Sequence, residues 1–162
     1  MKKSILTLIT LFLFLLEAMI FSRWTVEGVG LPLVLTFGLA VAVTGDRWDV
    51  LFIALLTGFL QDLYVSHWYG LHMLVNLYVF LGVHLLKNHL RQEKNVLMAG
   101  VMVLACVMRS LIVWGVYTAS GLTLRWQAIP VLAFMTLVLA FPALWGARSF
   151  YKPPALRHRL RG

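Results

Sequence analysis

The sequence has a single cysteine, Cys106, which lies within a long apolar run. One cysteine excludes an intramolecular disulfide, and the histidines show no spacing typical of metal ligands. Glycine-rich phosphate loops and nucleophile elbows are also absent from the sequence. We therefore expect a protein that is not an enzyme and has no cofactor or metal, in which Cys106 is a small packing residue.

Charged residues are scarce as well. They make up 12% of the 162 residues, whereas hydrophobic residues make up 61% and the mean hydropathy is +0.87. Soluble domains average about 25% charged and about 45–50% apolar residues. Because the apolar residues extend over the whole length, the sequence leaves no room for a soluble domain. The composition predicts an integral membrane protein.

The net charge of +8 does not indicate binding to nucleic acid, because the basic residues lie between apolar runs instead of forming a basic face. Basic residues in such positions are typical of the signal that orients membrane helices. The polar tail at residues 151–162 has two interpretations: part of that orienting signal, which we favour, or a patch for anionic lipid. The two interpretations are compatible.

Apolar runs predict an all-α fold of six transmembrane helices with short loops, forming one domain. The runs cover roughly residues 4–22, 29–43, 50–65, 70–86, 96–118 and 127–147. The second and third are short for a hydrocarbon core of about 30 Å, so we expect tilt or local thinning there. The first run follows Lys2 and Lys3 as a signal peptide does, but Glu17 and the lack of a small-residue cleavage site favour a retained helix.

The distribution of lysine and arginine predicts the orientation. With a cytoplasmic N-terminus, eleven basic residues fall on the inside and two, Arg23 and Arg125, on the outside. Cytoplasmic loops carry the excess of basic residues in membrane proteins. We therefore expect both termini in the cytoplasm, which requires an even number of spans. The inside set is Lys2, Lys3, Arg47, Lys87, Arg91, Lys94, Arg148, Lys152, Arg157, Arg159 and Arg161.

Three charged residues lie inside the predicted spans: Glu17, Asp62 and Arg109. At about 1.5 Å per residue, each lies roughly 18–20 Å from the start of its run. Asn76, on the fourth run and in the opposite direction, falls at nearly the same depth. Charged groups inside a membrane face the bundle interior and find partners. We predict a buried polar layer of these four residues, in which Arg109 meets Asp62, Glu17 or both.

The helical period indicates which face of the third helix Asp62 lies on. Ala54, Gly58 and Asp62 are spaced i, i+4, i+8, so they form one stripe, and small residues on a stripe let another helix approach closely. His72 shares a face with Asn76 in the same way. Three roles remain open for the layer: structural pairing that fixes helix register, which we favour, a pocket for a small polar solute, or a path for protons or ions.

The stretch around Asp62 resembles the rod shape-determining protein MreD family. In that family a third helix ends Gly-x3-Asp-Leu and a fourth begins with a glycine eight residues after the aspartate; here the matching residues are Gly58, Asp62, Leu63 and Gly70. A length of about 160 residues, six short spans, very short loops and a basic tail are also similar to the family. Arg109 is not part of this resemblance.

The resemblance implies a fold similar to the substrate-binding components of energy-coupling-factor vitamin transporters. It also implies a scaffold of the bacterial cell-elongation machinery in the inner membrane, surrounded by membrane lipids. The implied partners are MreC, a single-span protein with an extracytoplasmic domain, and through it MreB, RodZ and the peptidoglycan polymerase and transpeptidase of elongation. The resemblance implies a role in supporting peptidoglycan synthesis and in maintaining rod shape.

Two other functions remain as alternatives. A vitamin-binding transport subunit needs a concave pocket with convergent polar groups. The connections at residues 66–69 and 119–126 are only four and eight residues long, which disfavours a capped pocket. A small proton-coupled carrier is the second alternative, and no inverted repeat in the sequence supports it.

Overall fold

The computed structural model describes residues 2–21, 32–63, 69–90, 95–121 and 126–151. In these ranges the chain forms six α-helices and no strand, which confirms the predicted all-α fold for the described residues. Each predicted apolar run overlaps one helix. The helices are α1 (Lys2–Phe21), α2 (Leu33–Thr44), α3 (Arg47–Asp62), α4 (Leu71–Leu90), α5 (Asn95–Ala119) and α6 (Ala128–Tyr151).

Three helices are long and apolar enough to cross a membrane: Lys3–Ile20, Val96–Ala119 and Ala128–Tyr151. α2 and the part of α4 at Leu71–Leu86 are shorter apolar helices. The 12 residues of α2 rise about 18 Å, well below the thickness of a hydrocarbon core of about 30 Å. Lengths therefore support three crossings, and the full set of six stays a prediction.

Consecutive helices run antiparallel. Only Gly45 and Asp46 separate α2 from α3, and on α5 and α6 Cys106 lies beside Thr136 while Met98 lies beside Arg148. We call the end at which α1, α3 and α5 begin the proximal end, and the end at which they finish the distal end. α2, α4 and α6 therefore begin at the distal end.

α2 is the central helix, since it packs against each of the other five. Its side chains are almost all buried, with Val34, Leu39 and Val41 fully inaccessible. The helix is apolar on every face, as expected for one surrounded by protein. Gly38 permits its closest packing, because a Cβ there would lie 2.6 Å from the ring of Phe80 on α4.

α1 is the most peripheral helix. It packs against α2 and α3, and within the described residues none of its Cα atoms comes within 8 Å of a Cα atom of α6. Its outward side chains, including Leu8 and Met19, are exposed. Because α1 and α6 both lie on α2 with their backbones apart, a mostly apolar gap remains between them.

The proximal end is held by polar contacts of α6. The Tyr151 hydroxyl donates to Asp49 Oδ2 of α3 over 2.9 Å, and Arg148 Nη2 donates to Met98 Sδ of α5 over 2.8 Å. These contacts fix the last turn of α6 against the first turns of α3 and α5.

Candidate functional site

Asp62, the last residue of α3, caps the start of α4. Its Oδ2 accepts hydrogen bonds from the backbone amides of Gly70 (3.0 Å) and Met73 (3.2 Å), and its Oδ1 accepts one from the amide of His72 (3.0 Å). The first amides of a helix have no partner within the helix, and the helix dipole favours an anion there. The residue is 4% exposed. α3 therefore supplies the N-terminal cap that α4 lacks in its own sequence.

The side chain of His72 adds a second contact to this cap. Its Nδ1 lies 2.9 Å from Asp62 Oδ1, and both residues are buried. This contact is a hydrogen bond when the ring is neutral and an ion pair when it is protonated. Asp62 is thus held by one side chain and three backbone amides.

Two glycines make this contact possible. A Cβ on Gly58 would overlap the Cα of Met73 and lie 2.7 Å from its amide nitrogen, so the first turn of α4 rests directly on the backbone of α3. Gly70 has φ +93°, a conformation that residues with a Cβ rarely adopt. Close approach and the left-handed turn together bring three amides to Asp62.

Arg109 of α5 binds two neutral side chains. Its Nε donates to Asn76 Oδ1 over 2.6 Å, and its Nη2 donates to Gln61 Oε1 over 2.7 Å. Asn76 Nδ2 in turn donates to Gln61 Oε1 (3.1 Å) and, at 3.4 Å, to the hydroxyl of Thr57. Arg109 is 8% exposed and Asn76 is inaccessible. This cluster cross-links α3, α4 and α5 inside the bundle.

The predicted direct pairing of Arg109 with Asp62 or Glu17 is wrong. Among the described residues Arg109 forms no ion pair with either carboxylate, and Asp62 is paired with His72. The reason is competition: free amides at the start of a helix bind a carboxylate with several hydrogen bonds at once. Asp62 and Glu17 act on Arg109 only through longer-range Coulomb interactions.

Glu17 of α1 also binds the start of a helix. Its Oε2 accepts a 2.9 Å hydrogen bond from the amide of Val34, the second residue of α2. α2 follows Pro32, and no side chain at that position caps the helix. Glu17 and Asp62 therefore have the same role on neighbouring odd-numbered helices, each binding the start of the helix that follows it in the chain.

The structure thus divides the predicted layer into three parts. Asn76 and Arg109 are bonded to each other, Asp62 lies beside them at the start of α4, and Glu17 lies at the start of α2. Ala54 is fully buried and continues the stripe of Gly58 and Asp62 on α3. Sequence reasoning missed Gln61, although it precedes Asp62 and lies one turn after Thr57.

The arrangement is suited to joining helices more than to chemistry. The layer's carboxylates bind backbone amides, and the guanidinium binds amide oxygens of side chains. Within the described ranges, no group of three or more histidine, cysteine, aspartate or glutamate residues could hold a metal ion.

Energetic coupling can test the partner of Arg109. We expect Arg109→Met and Asn76→Leu each to destabilise the protein, and their double variant to be less destabilised than the sum by about 1–3 kcal/mol, because the two side chains share a buried hydrogen bond. The free energy of unfolding in mixed detergent micelles measures this coupling. The same cycle between Arg109→Met and Asp62→Asn serves as the control and should give a smaller coupling. A larger coupling with Asp62 would restore the direct pairing predicted from the sequence.

Comparison with known proteins identifies a family. A family model described as rod shape-determining protein MreD matches residues 1–145. The matched region includes all four residues of the predicted layer and both glycines of the α3–α4 contact. No curated protein and no solved structure matches the chain.

Proposed function

The chain belongs to the rod shape-determining protein MreD family, and from this premise we propose that it is a non-enzymatic scaffold of the bacterial cell-elongation machinery that binds MreC. The family acts in the determination of rod shape, and the apolar helices are those of a membrane protein. Binding to MreC would link the chain indirectly to MreB, RodZ and the polymerase and transpeptidase that synthesise peptidoglycan.

The observation that carries the scaffold proposal is the use of the buried polar groups. Asp62 and Glu17 bind helix starts, and Arg109 binds Asn76 and Gln61. Buried polar groups that are paired with one another fix helix register and orientation. A transport or ligand site instead needs polar groups that are available to a solute. The contacts therefore favour structural pairing over a solute pocket or a proton path.

For the membrane we propose six crossings of the inner membrane with both termini in the cytoplasm. Antiparallel helices and the excess of lysine and arginine at one end support this arrangement. In this arrangement the proximal end is cytoplasmic, and the caps made by Asp62 and Glu17 lie in the outer half of the membrane. The short α2 requires tilt or local thinning, at modest cost. A fold like that of the vitamin-binding transport components remains part of the proposal.

Affinity purification from the native membrane tests the proposed partner. The tagged chain, solubilised in mild detergent after cross-linking, is expected to recover MreC, as identified by mass spectrometry. An unrelated multi-pass protein with the same tag, at a matched expression level, is the control for non-specific recovery. Recovery of a vitamin-transport ATPase pair without MreC would overturn the scaffold proposal and support the transport alternative.

A further inference from the structure

An apolar channel runs between α1 and α6 over the surface of α2. It consists of two cavities, of about 280 Å³ and about 330 Å³. Both are lined by Ile9, Phe37 and Gly146, so they adjoin and form one elongated space. The channel exists because the backbones of α1 and α6 stay apart among the described residues, with no pair of their Cα atoms within 8 Å.

The two halves of the channel differ in polarity. The first half reaches the proximal end, where Ser149 and Tyr151 line it. The second half lies deeper along the helices and is lined by apolar side chains such as Leu13 and Leu139. This gradient matches an amphiphile that has its polar group at the proximal end and its hydrocarbon in the deeper half.

Basic side chains outnumber acidic ones at the polar end. Lys3 is exposed and lies one turn before Leu6, which lines the first cavity. The other described charged residues at this end are the basic Arg47 and Arg148 and the acidic Asp46 and Asp49, of which Asp49 accepts the hydrogen bond of Tyr151. Basic residues near a membrane surface attract anionic headgroups, by about 1 kcal/mol each. The charge at this end therefore complements a phosphate.

We propose that the channel binds one acyl chain of an anionic glycerophospholipid, with the headgroup phosphate near Lys3. The proposal rests on the membrane setting of the family and does not depend on the binding of MreC. A partner helix fits less well, because a single helical turn, about 10 Å wide and 5.4 Å long, occupies roughly 400 Å³, which is more than either cavity holds. The cavities are instead at the lower end of the size of small-ligand sites, about 300–1,000 Å³.

Native mass spectrometry of the full chain tests this site. The detergent-purified protein is incubated with phosphatidylglycerol and phosphatidylcholine that have identical acyl chains, and the retained lipids are counted. Gly146→Leu should fill the channel, since a Cβ there meets no atom within 4 Å. The matched control is Gly100→Leu on α5, which also has open space around its Cβ and lies at a similar level, as Met98 contacts Arg148.

Wild type and Gly100→Leu are expected to retain one phosphatidylglycerol in preference to phosphatidylcholine. Gly146→Leu should lower that retention about tenfold, because the added side chain occupies the space of the acyl chain. Lys3→Gln should reduce the preference for phosphatidylglycerol about fivefold. In wild type, phosphatidylglycerol with a photoreactive acyl chain should label the peptides that contain Ile9 and Leu13. This measurement does not depend on whether the variants fold.

Three results would overturn the proposal. One is equal retention of phosphatidylglycerol by both leucine variants, and another is equal retention of the two lipids by wild type. The third is loss of a co-purified single-span protein in Gly146→Leu without any change in bound lipid, which would assign the channel to a partner helix. Loss of MreC from purified wild type would contradict the scaffold proposal alone and leave these lipid measurements unaffected.

Discussion

Replacement of Asp62 by alanine is expected to lower the free energy of unfolding by about 3–5 kcal/mol. The change leaves the amides of Gly70, His72 and Met73 without their acceptor at a buried helix start. It also removes the partner of the His72 ring. Water cannot readily replace the carboxylate, because the side chain is only 6% exposed. Unfolding of the purified protein in mixed detergent micelles, followed by tryptophan fluorescence, measures the loss.

Two further variants decide whether this loss comes from the cap. Asp62→Asn keeps the shape but replaces one accepting oxygen with a donor, so it should lose part of the stability and less than Asp62→Ala. Asp46→Asn makes the same change at the other end of α3, where the side chain is exposed and forms no cap hydrogen bond. That control should change stability by no more than about 0.5 kcal/mol. Equal small effects of all three substitutions would show that the cap contributes little.

Much of the layer could be predicted from the sequence, because helix rise converts residue numbers into depth. Counting along the apolar runs placed Asn76 and Arg109 at one level, and the structure joins them through a 2.6 Å hydrogen bond. Period 3.6 placed Gly58 and Asp62 on one face of α3, and both are buried. Predictions of depth and helix face succeed when the segment is a regular helix and the residue is a polar one within an apolar run.

The partners of the two carboxylates could not be found in that way. Comparing only charged side chains led to Arg109, whereas most of the actual partners are backbone amides, which every residue except proline has, and the His72 ring is a further partner of Asp62. Asp62 binds amides at the start of α4, and Glu17 binds the amide of Val34 at the start of α2. A useful signal was the missing cap: neither Pro32 nor Gly70 has a side chain that can accept an amide hydrogen bond. Gln61 was missed because neutral residues were not considered as partners of Arg109.

The packing of the helices against one another could not be predicted from the sequence pattern. Hydrophobicity alone does not distinguish α2, which packs against every other helix, from α1, which packs against two. Both helices are strongly apolar. In a membrane, side chains that face lipid are as apolar as side chains that face protein, so hydrophobicity does not show which helix is central. The channel between α1 and α6 depends on this packing, so it could not be predicted from a sequence motif.

The family motif can be interpreted as one structural unit. Gly58 allows α4 to approach α3, Gly70 turns the chain with positive φ, and Asp62 binds the amides that this turn presents. All three residues therefore act at the same contact between α3 and α4. The unit therefore explains a spacing of four and then eight residues without invoking catalysis, in agreement with the proposed scaffold role.

Gly58→Ala is expected to destabilise the protein by about 1–3 kcal/mol, although alanine is the better helix former. The new Cβ would overlap the Cα of Met73 and lie 3.0 Å from the carbonyl carbon of His72. Both neighbours are backbone atoms, so no side chain can rotate away and the first turn of α4 must move. That movement also lengthens the hydrogen bonds to Asp62, which adds to the loss. Overpacking therefore outweighs the gain in helix propensity, which is at most about 1 kcal/mol.

Gly82→Ala is the matched control, since this glycine lies within α4 and a Cβ there meets no atom within 4 Å. It should leave stability unchanged or raise it by up to about 1 kcal/mol, because only the propensity acts. The two alanine substitutions are thus expected to have opposite signs in the same unfolding measurement. Combining Gly58→Ala with Asp62→Ala should cost less than the sum of the single losses, because the first substitution already weakens the cap. A stabilising Gly58→Ala, or fully additive losses, would contradict the interpretation of these residues as one unit.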